Sequence, residues 1–159
     1  MRLKIISGGQ TGADRAALDA AIDSGVEHGG YLPRGRLTEA GPLPARYRLR
    51  ELPSARYRDR TEQNVKAAEA TLILSFGVLT GGSALTEALA IRHDRPCLHI
   101  DFEVLEREQA VDLVVRWLRE HDVRVLNVAG PRASSEPGIY QAVYDLLVKV
   151  IARIEHDTM

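Results

Sequence analysis

Residues 7–15, Ser7-Gly8-Gly9-Gln10-Thr11-Gly12-Ala13-Asp14-Arg15, constrain this chain more than any other stretch. The apolar run Leu3 to Ile6 precedes them. A helical pattern from Ala13 to Ser24 follows, with Ala17, Leu18, Ala21 and Ile22 on one stripe. Strand, glycine-rich turn and helix in this order make an anion site in α/β proteins. Glycine lets the backbone approach a ligand, and the N–H groups of the first helical turn point at it. The spacing approaches G-x-G-x-x-G: Gly9 and Gly12 take the second and third glycine places, while Ser7 stands at the first. No lysine follows Gly12, which argues against a P-loop ATPase. The competing reading is a tight structural turn, which the same glycines would serve.

The rest of the chain alternates strand and helix. Residues 3–7 read as a central first strand, and Gly25 stands where it can end the first helix. A short second strand falls within 26–32. Residues 33–47, with Pro33, Gly35, Gly41, Pro42 and Pro44, read as a long irregular loop, the kind that is functional or mobile. A third strand is expected over 47–52, a helix over 58–69 and a fully covered strand over 71–76. A second glycine loop, 77–82, leads into a helix from Ser83 with Ala84, Leu85, Ala88 and Leu89 as its buried stripe. A strand over 97–101, an amphipathic helix over 106–121 and a sixth strand over 123–128 come next. A loop opened by Ala129-Gly130-Pro131 then leads to a closing helix, with Pro137 in its first turn and Ile139, Val143, Leu146, Leu147, Val150 and Ile154 as its core face. This alternation predicts an α/β, Rossmann-like three-layer fold, with a mostly parallel sheet and helices on both faces, in one domain over 1–159.

The two glycine loops follow the first and fourth strands. In the strand order 3-2-1-4-5-6 these are neighbours at the switch point where such sheets bind ligands. Gly8–Gly12 and Gly81-Gly82-Ser83 would then face each other, each at a helix N-terminus with a partial positive charge. Thr11, Ser83 and Thr86 supply hydroxyls there, or act as local backbone caps. Asp14 either complements the helix dipole, holds Arg15, or receives a ligand N–H.

Charge narrows the partners. The net charge is −1, which gives no electrostatic argument for nucleic acid, and no apolar run is long enough to span a bilayer. Arginines nevertheless cluster between Arg34 and Arg60: eight of them stand against Glu39, Glu51 and Asp59. Their forked donors suit phosphates and carboxylates, though such a run also suits a solvated face. Cys97 is the single cysteine, so no disulfide forms within the chain. No signal peptide is visible in the run from Met1 into the first strand, which makes a cytoplasmic location the default. The five histidines show no zinc spacing. Cys97, His99 and Asp101 share one strand face; Cys97 is expected in the core, and Asp101 lies where it can reach the crevice.

Several runs resemble the molybdenum cofactor carrier family: residues 7–19, Pro33-Arg34-Gly35-Arg36 with Glu39, Arg60-Thr61-Glu62-Gln63-Asn64-Val65, residues 79–86 and residues 96–101. The family lies in a Rossmann-like superfamily that includes the lysine decarboxylase-like proteins. The resemblance implies a protein that binds the molybdenum cofactor (molybdopterin, a phosphorylated pterin bearing an oxo-metal centre) and forms a homo-oligomer, with molybdoenzymes as recipients. Gly8, Gly9, Gln10, Thr11, Gly12, Asp14, Arg15, Arg34, Arg36, Arg60, Asn64, Gly81, Gly82, Ser83 and Thr86 are the expected ligand residues. Arg60 and Asn64 lie four apart on one helical face, so Asn64 either meets the ligand or bonds locally. The same superfamily contains phosphoribohydrolases that cleave nucleoside monophosphates, with the signature G-G-x-G-T-x-x-E. In Thr80-Gly81-Gly82-Ser83-Ala84-Leu85-Thr86-Glu87, Glu87 fits the glutamate, while Thr80, Ser83 and Ala84 depart from the pattern. That alternative makes Glu87 catalytic and the ligand a nucleotide; a nucleotide sensor would use the same loops.

Overall fold

The computed structural model describes residues 3–156, so the expectations that rest on Met1, Arg2 and the last three positions lie outside the described residues. The first strand, β1 (Lys4–Ile6), runs through the glycine loop into helix α1 (Ala13–Asp23). Gly25 ends that helix, its N–H donating to the Ile22 carbonyl. The expected second strand is two strands, β2 (Glu27–Gly29) and β3 (Tyr31–Leu32), broken at Gly30. Gly30 has φ +129°, and a Cβ there would lie 2.0 Å from the Ser7 carbonyl oxygen, so the chain can turn off the main sheet only with glycine at this place.

Within 33–47 the structure adds a small antiparallel pair, β4 (Leu37–Thr38) and β5 (Gly41–Pro42). The strand expected over 47–52 shrinks to β6 (Arg50–Glu51), which pairs with β3 in a sheet of its own. Tyr47 instead packs in a small core with Leu18, Leu32 and Leu43. Helix α2 (Tyr57–Ala67) and strand β7 (Ala70–Ser75) follow, then α3 (Gly81–Arg92), β8 (Cys97–Asp101), α4 (Arg107–Glu120), β9 (Val125–Ala129) and α5 (Ile139–His156). Pro137 lies in a turn two residues ahead of α5 rather than in its first turn.

The main sheet has five strands in the order β2-β1-β9-β7-β8, with every pairing parallel. This corrects the order 3-2-1-4-5-6. The last strand is central, inserted between the two strands that carry the glycine loops. Leu126 and Val128 of β9 are fully buried, and its Asn127 donates to the Thr71 hydroxyl of β7 at 3.2 Å, so the strand's sequence suits an interior place.

Helices α1, α4 and α5 pack on one face of the sheet, and α2 and α3 cover the other. The main core joins Leu72 and Leu74 of β7 with Ala17 and Ala21 of α1, Val114 and Leu118 of α4, and all six expected residues of α5. Each large side chain buried there contributes about 2 kcal/mol. On α3 the buried residues are Ser83, Thr86, Leu89 and Ala90, while Ala88 is exposed, so the expected stripe is rotated. No helix among the described residues is long and apolar enough to cross a membrane.

Candidate functional site

A crevice of about 550 Å³ opens at the carboxyl ends of the parallel strands. Gly8, Gln10, Asp14, Arg60 and Asn64 form one wall, and Thr80, Gly81, Gly82, Ser83 and Thr86 form the other. The ends of β7 and β9 make the floor with Ser75 and Asn127, and residues 130–136 close a third side. Both glycine loops thus reach one crevice, although their strands are not neighbours.

The two helix ends differ. At α1 the Ala13 N–H donates to the Pro131 carbonyl at 3.1 Å, so the β9 loop occupies that end. Gly12 makes this contact possible. It has φ +81°, and a Cβ would meet the Pro131 oxygen at 2.4 Å. Gly12 and Gly9 therefore shape the loop and lie outside the crevice lining. At α3 the N-cap residue Thr80 makes no side-chain cap bond. The first-turn N–H groups of Gly81 and Gly82 are among those a helix leaves without an intrahelical partner, and both residues face the crevice wall. A helix end of this kind, with N–H groups left open, is the sort that suits an anion. The Ser83 side chain lines the crevice beside it, while the Thr86 hydroxyl donates back to the Gly82 carbonyl at 2.8 Å.

On the opposite wall Asp14 pairs with Arg60, not Arg15. Arg60 Nη1 lies 3.4 Å from Asp14 Oδ2, with side chains 12% and 10% exposed respectively, and also donates to the Gly8 carbonyl. Burial pushes the Asp14 carboxyl up to about 6, against the opposing pull of Arg60, the Gln10 N–H, Arg132 and Arg15. Gln10 Oε1 accepts from the N–H groups of Thr11 and Glu39, while its Nε2, like Arg60 Nε, is buried without a partner among the described residues. Buried donors without a partner are uncommon in native proteins. Asn64 borders the crevice, but its amide is engaged by the backbone of Tyr31 in both directions and by the Arg60 carbonyl. These bonds tie α2 to β3.

Other expected ligand residues lie elsewhere. Thr11 Oγ1 donates to the Glu39 carboxylate and accepts from Ala133 N. Glu39 also accepts from the Ser134 N–H and hydroxyl, and these bonds hold its carboxyl below the usual range. One exposed carboxylate thereby fastens the 37–42 hairpin, the first glycine loop and the β9 loop together. Arg15 reaches back to the Gly9 carbonyl and lies over the Tyr47 ring, 5.4 Å from its centroid. Arg36 closes its own loop onto the carbonyls of Leu43, Pro44 and Tyr47, and Arg34 is exposed. Neither arginine lines the crevice, and neither does Glu87. Asp101 Oδ1 accepts from the N–H groups of Gly77 and Glu103, which lowers its pKa, and Asp101 does not line the crevice, while His99 Nε2 lies 2.6 Å from the Ser75 hydroxyl. Cys97 packs against α2 and α3, and burial pushes its thiol up to about 11.

Sequence reasoning missed the β9 side. Arg132, Ser134, Ser135 and Asn127 all border the crevice. The loop following Ala129-Gly130-Pro131 was visible, but an edge position for the last strand would have kept it away. Arg132 and Arg60 both lie over the Tyr57 ring, 5.7 and 5.4 Å from its centroid, so two arginines flank one side of the site.

A model of the circularly permutated YpsA SLOG family matches residues 5–151. The chain belongs to this family. The chain is also similar to a solved structure from Syntrophus aciditrophicus named "putative molybdenum carrier protein", at 53% identity and a TM-score of 0.92, over 94% of each chain. No curated protein matches.

Proposed function

We propose that this SLOG protein binds the molybdenum cofactor in the crevice between its glycine loops and carries it, without chemistry, to recipient molybdoenzymes. The observation that carries this reading is the two-ended crevice. An open helix N-terminus at Gly81 and Gly82 suits a phosphate, and the opposite wall offers Asp14, Arg60 and Gln10 to a polar heterocycle. The volume, about 550 Å³, is within the range of small-molecule sites. The name of the similar Syntrophus protein supports the choice of ligand. Arg60 and Arg132 would meet the cofactor's anionic groups, and the oxo-metal centre arrives on the pterin as cargo. A homo-oligomer belongs to this reading through the family resemblance. The hydrolase alternative gains no such support, because Glu87 lies outside the crevice lining.

The test is transfer. The protein is incubated without oxygen with cofactor released from a molybdoenzyme, separated from free cofactor, and mixed with a cofactor-free molybdoenzyme. Recovery of that enzyme's activity in proportion to the protein added supports the carrier reading. Absence of co-elution and of transfer rejects it.

A further inference from the structure

We propose that Asp14 selects the ligand's heterocycle, by accepting the paired N–H and exocyclic NH2 of a 2-amino-4-oxo pyrimidine edge, the edge shared by pterin and guanine. This rests on the reading of the crevice as a site for a phosphorylated heterocycle and names the ring chemistry that it takes.

The argument begins from an excess of acceptor capacity. An ionised carboxylate offers about four acceptor positions. Among the described residues, Asp14 receives the Gln10 N–H at 3.3 Å and Arg60 Nη1 at 3.4 Å, both long and both on Oδ2. Its Oδ1 takes no hydrogen bond from the described residues. The side chain is nevertheless buried and borders the cavity. Removing a carboxylate from water without full pairing is unfavourable, and the upward shift of its pKa records that burial outweighs the Arg60 attraction. A group held in this state gains from any ligand that brings donors to it.

An anion does not. A phosphate brings acceptors and like charge, and the open N-terminus of α3 is the place for it. A heterocycle edge with two parallel donors does, because one N–H and one NH2 match the two oxygens of a carboxylate. Guanine and pterin carry that pair. Hypoxanthine keeps the ring N–H and lacks the amine. Adenine presents a ring nitrogen lone pair at the corresponding place, which repels the carboxylate. Asn64 does not supply a second reader of this kind, since its polar atoms are bonded to backbone.

The test measures affinities of the full chain for four probes: a metal-free 6-substituted phosphopterin, guanosine monophosphate, inosine monophosphate and adenosine monophosphate. Wild type is expected to bind phosphopterin and guanosine monophosphate at least tenfold more tightly than either of the others, as the loss of one hydrogen bond to a charged partner requires. D14N keeps an acceptor oxygen toward Gln10 and Arg60, and is expected to bring the guanosine-to-adenosine ratio to about one or below. Thermal melting checks that the variant folds; if it does not, wild-type discrimination decides. Equal wild-type affinity for the four probes, or a preference that survives in folded D14N, overturns the role of Asp14 and leaves the phosphorylated-heterocycle reading standing. Failure of all four to bind overturns that reading and this inference together.

Discussion

Gly82→Val separates the anion site from the fold. Gly82 stands second in α3 on the crevice wall, and a Cβ built there meets no atom within 4 Å. It is not among the residues with positive φ. The fold should therefore accept valine, with a helix-propensity gain below about 0.5 kcal/mol. A ligand phosphate approaching the Gly81 and Gly82 N–H groups would meet the new methyl groups. Loss of one charge-assisted hydrogen bond costs roughly 1.5–3 kcal/mol, or about 10–150-fold in affinity. The control is Gly12→Ala. There φ is +81° and the Pro131 oxygen lies 2.4 Å from the new Cβ, so a backbone strain of about 1–3 kcal/mol adds to displacement of the β9 loop. Thermal melting and a fluorescence titration with phosphopterin are run on both variants. Gly82→Val should melt with the wild type and bind at least tenfold more weakly, while Gly12→Ala should melt several degrees lower. Unchanged affinity in Gly82→Val would refute the placement of the anion at α3, and a large loss of stability there would refute the packing argument.

Asp14 makes stability depend on pH with an unusual sign. Its folded pKa, about 6, stands above the ordinary 3.8, so the folded state holds the proton more tightly and Asp14 stabilises less as pH rises from 4 to 7. The groups facing it are Arg60, Arg132 and Arg15. Denaturant titrations should show wild type losing about 2 kcal/mol relative to D14N across that range, and a constant difference would contradict the burial argument. Asp19 accepts the phenols of Tyr47 and Tyr140, so Asp19→Ala leaves two part-buried hydroxyls without their acceptor. It should cost about 2 kcal/mol, read as a fall in Tm of about 4–8 °C. Glu39→Ala removes the common acceptor of Thr11 and Ser134. Hydrogen exchange in residues 131–136 should quicken while α4 stays protected, and uniform exchange would deny the fastening.

Much of the architecture was legible because its signals are local. The glycine loop after β1, the apolar run of β7 and the 3.6-residue face of α5 each declare their element within a few residues. Strand order is not local. Whether β9 lies at the edge or the centre depends on partners more than 50 residues away, such as Asn127 with Thr71. The same limit divided the site. Gly81, Gly82 and Ser83 were readable from a helix start, but Arg132 and Ser134 needed the central place of β9. Gln10, Asn64 and Arg36 were expected at the ligand from their place in the motifs. Only the structure shows that Asn64 and Arg36 bond the backbone of their own surroundings, while Gln10 Nε2 is buried with no partner among the described residues. The members of the arginine cluster are spread over loop and helix, and Arg60 alone among them borders the crevice.

The most direct measurement is the content of the protein itself. It is purified without oxygen from cells that make molybdoenzymes; bound molybdenum and tungsten are determined by elemental mass spectrometry, and the same sample is oxidised to reveal a fluorescent phosphopterin. A cofactor carrier gives metal and pterin together, near one of each per site, and loses both in Gly82→Val. Absence of both, even after loading with released cofactor, contradicts the account.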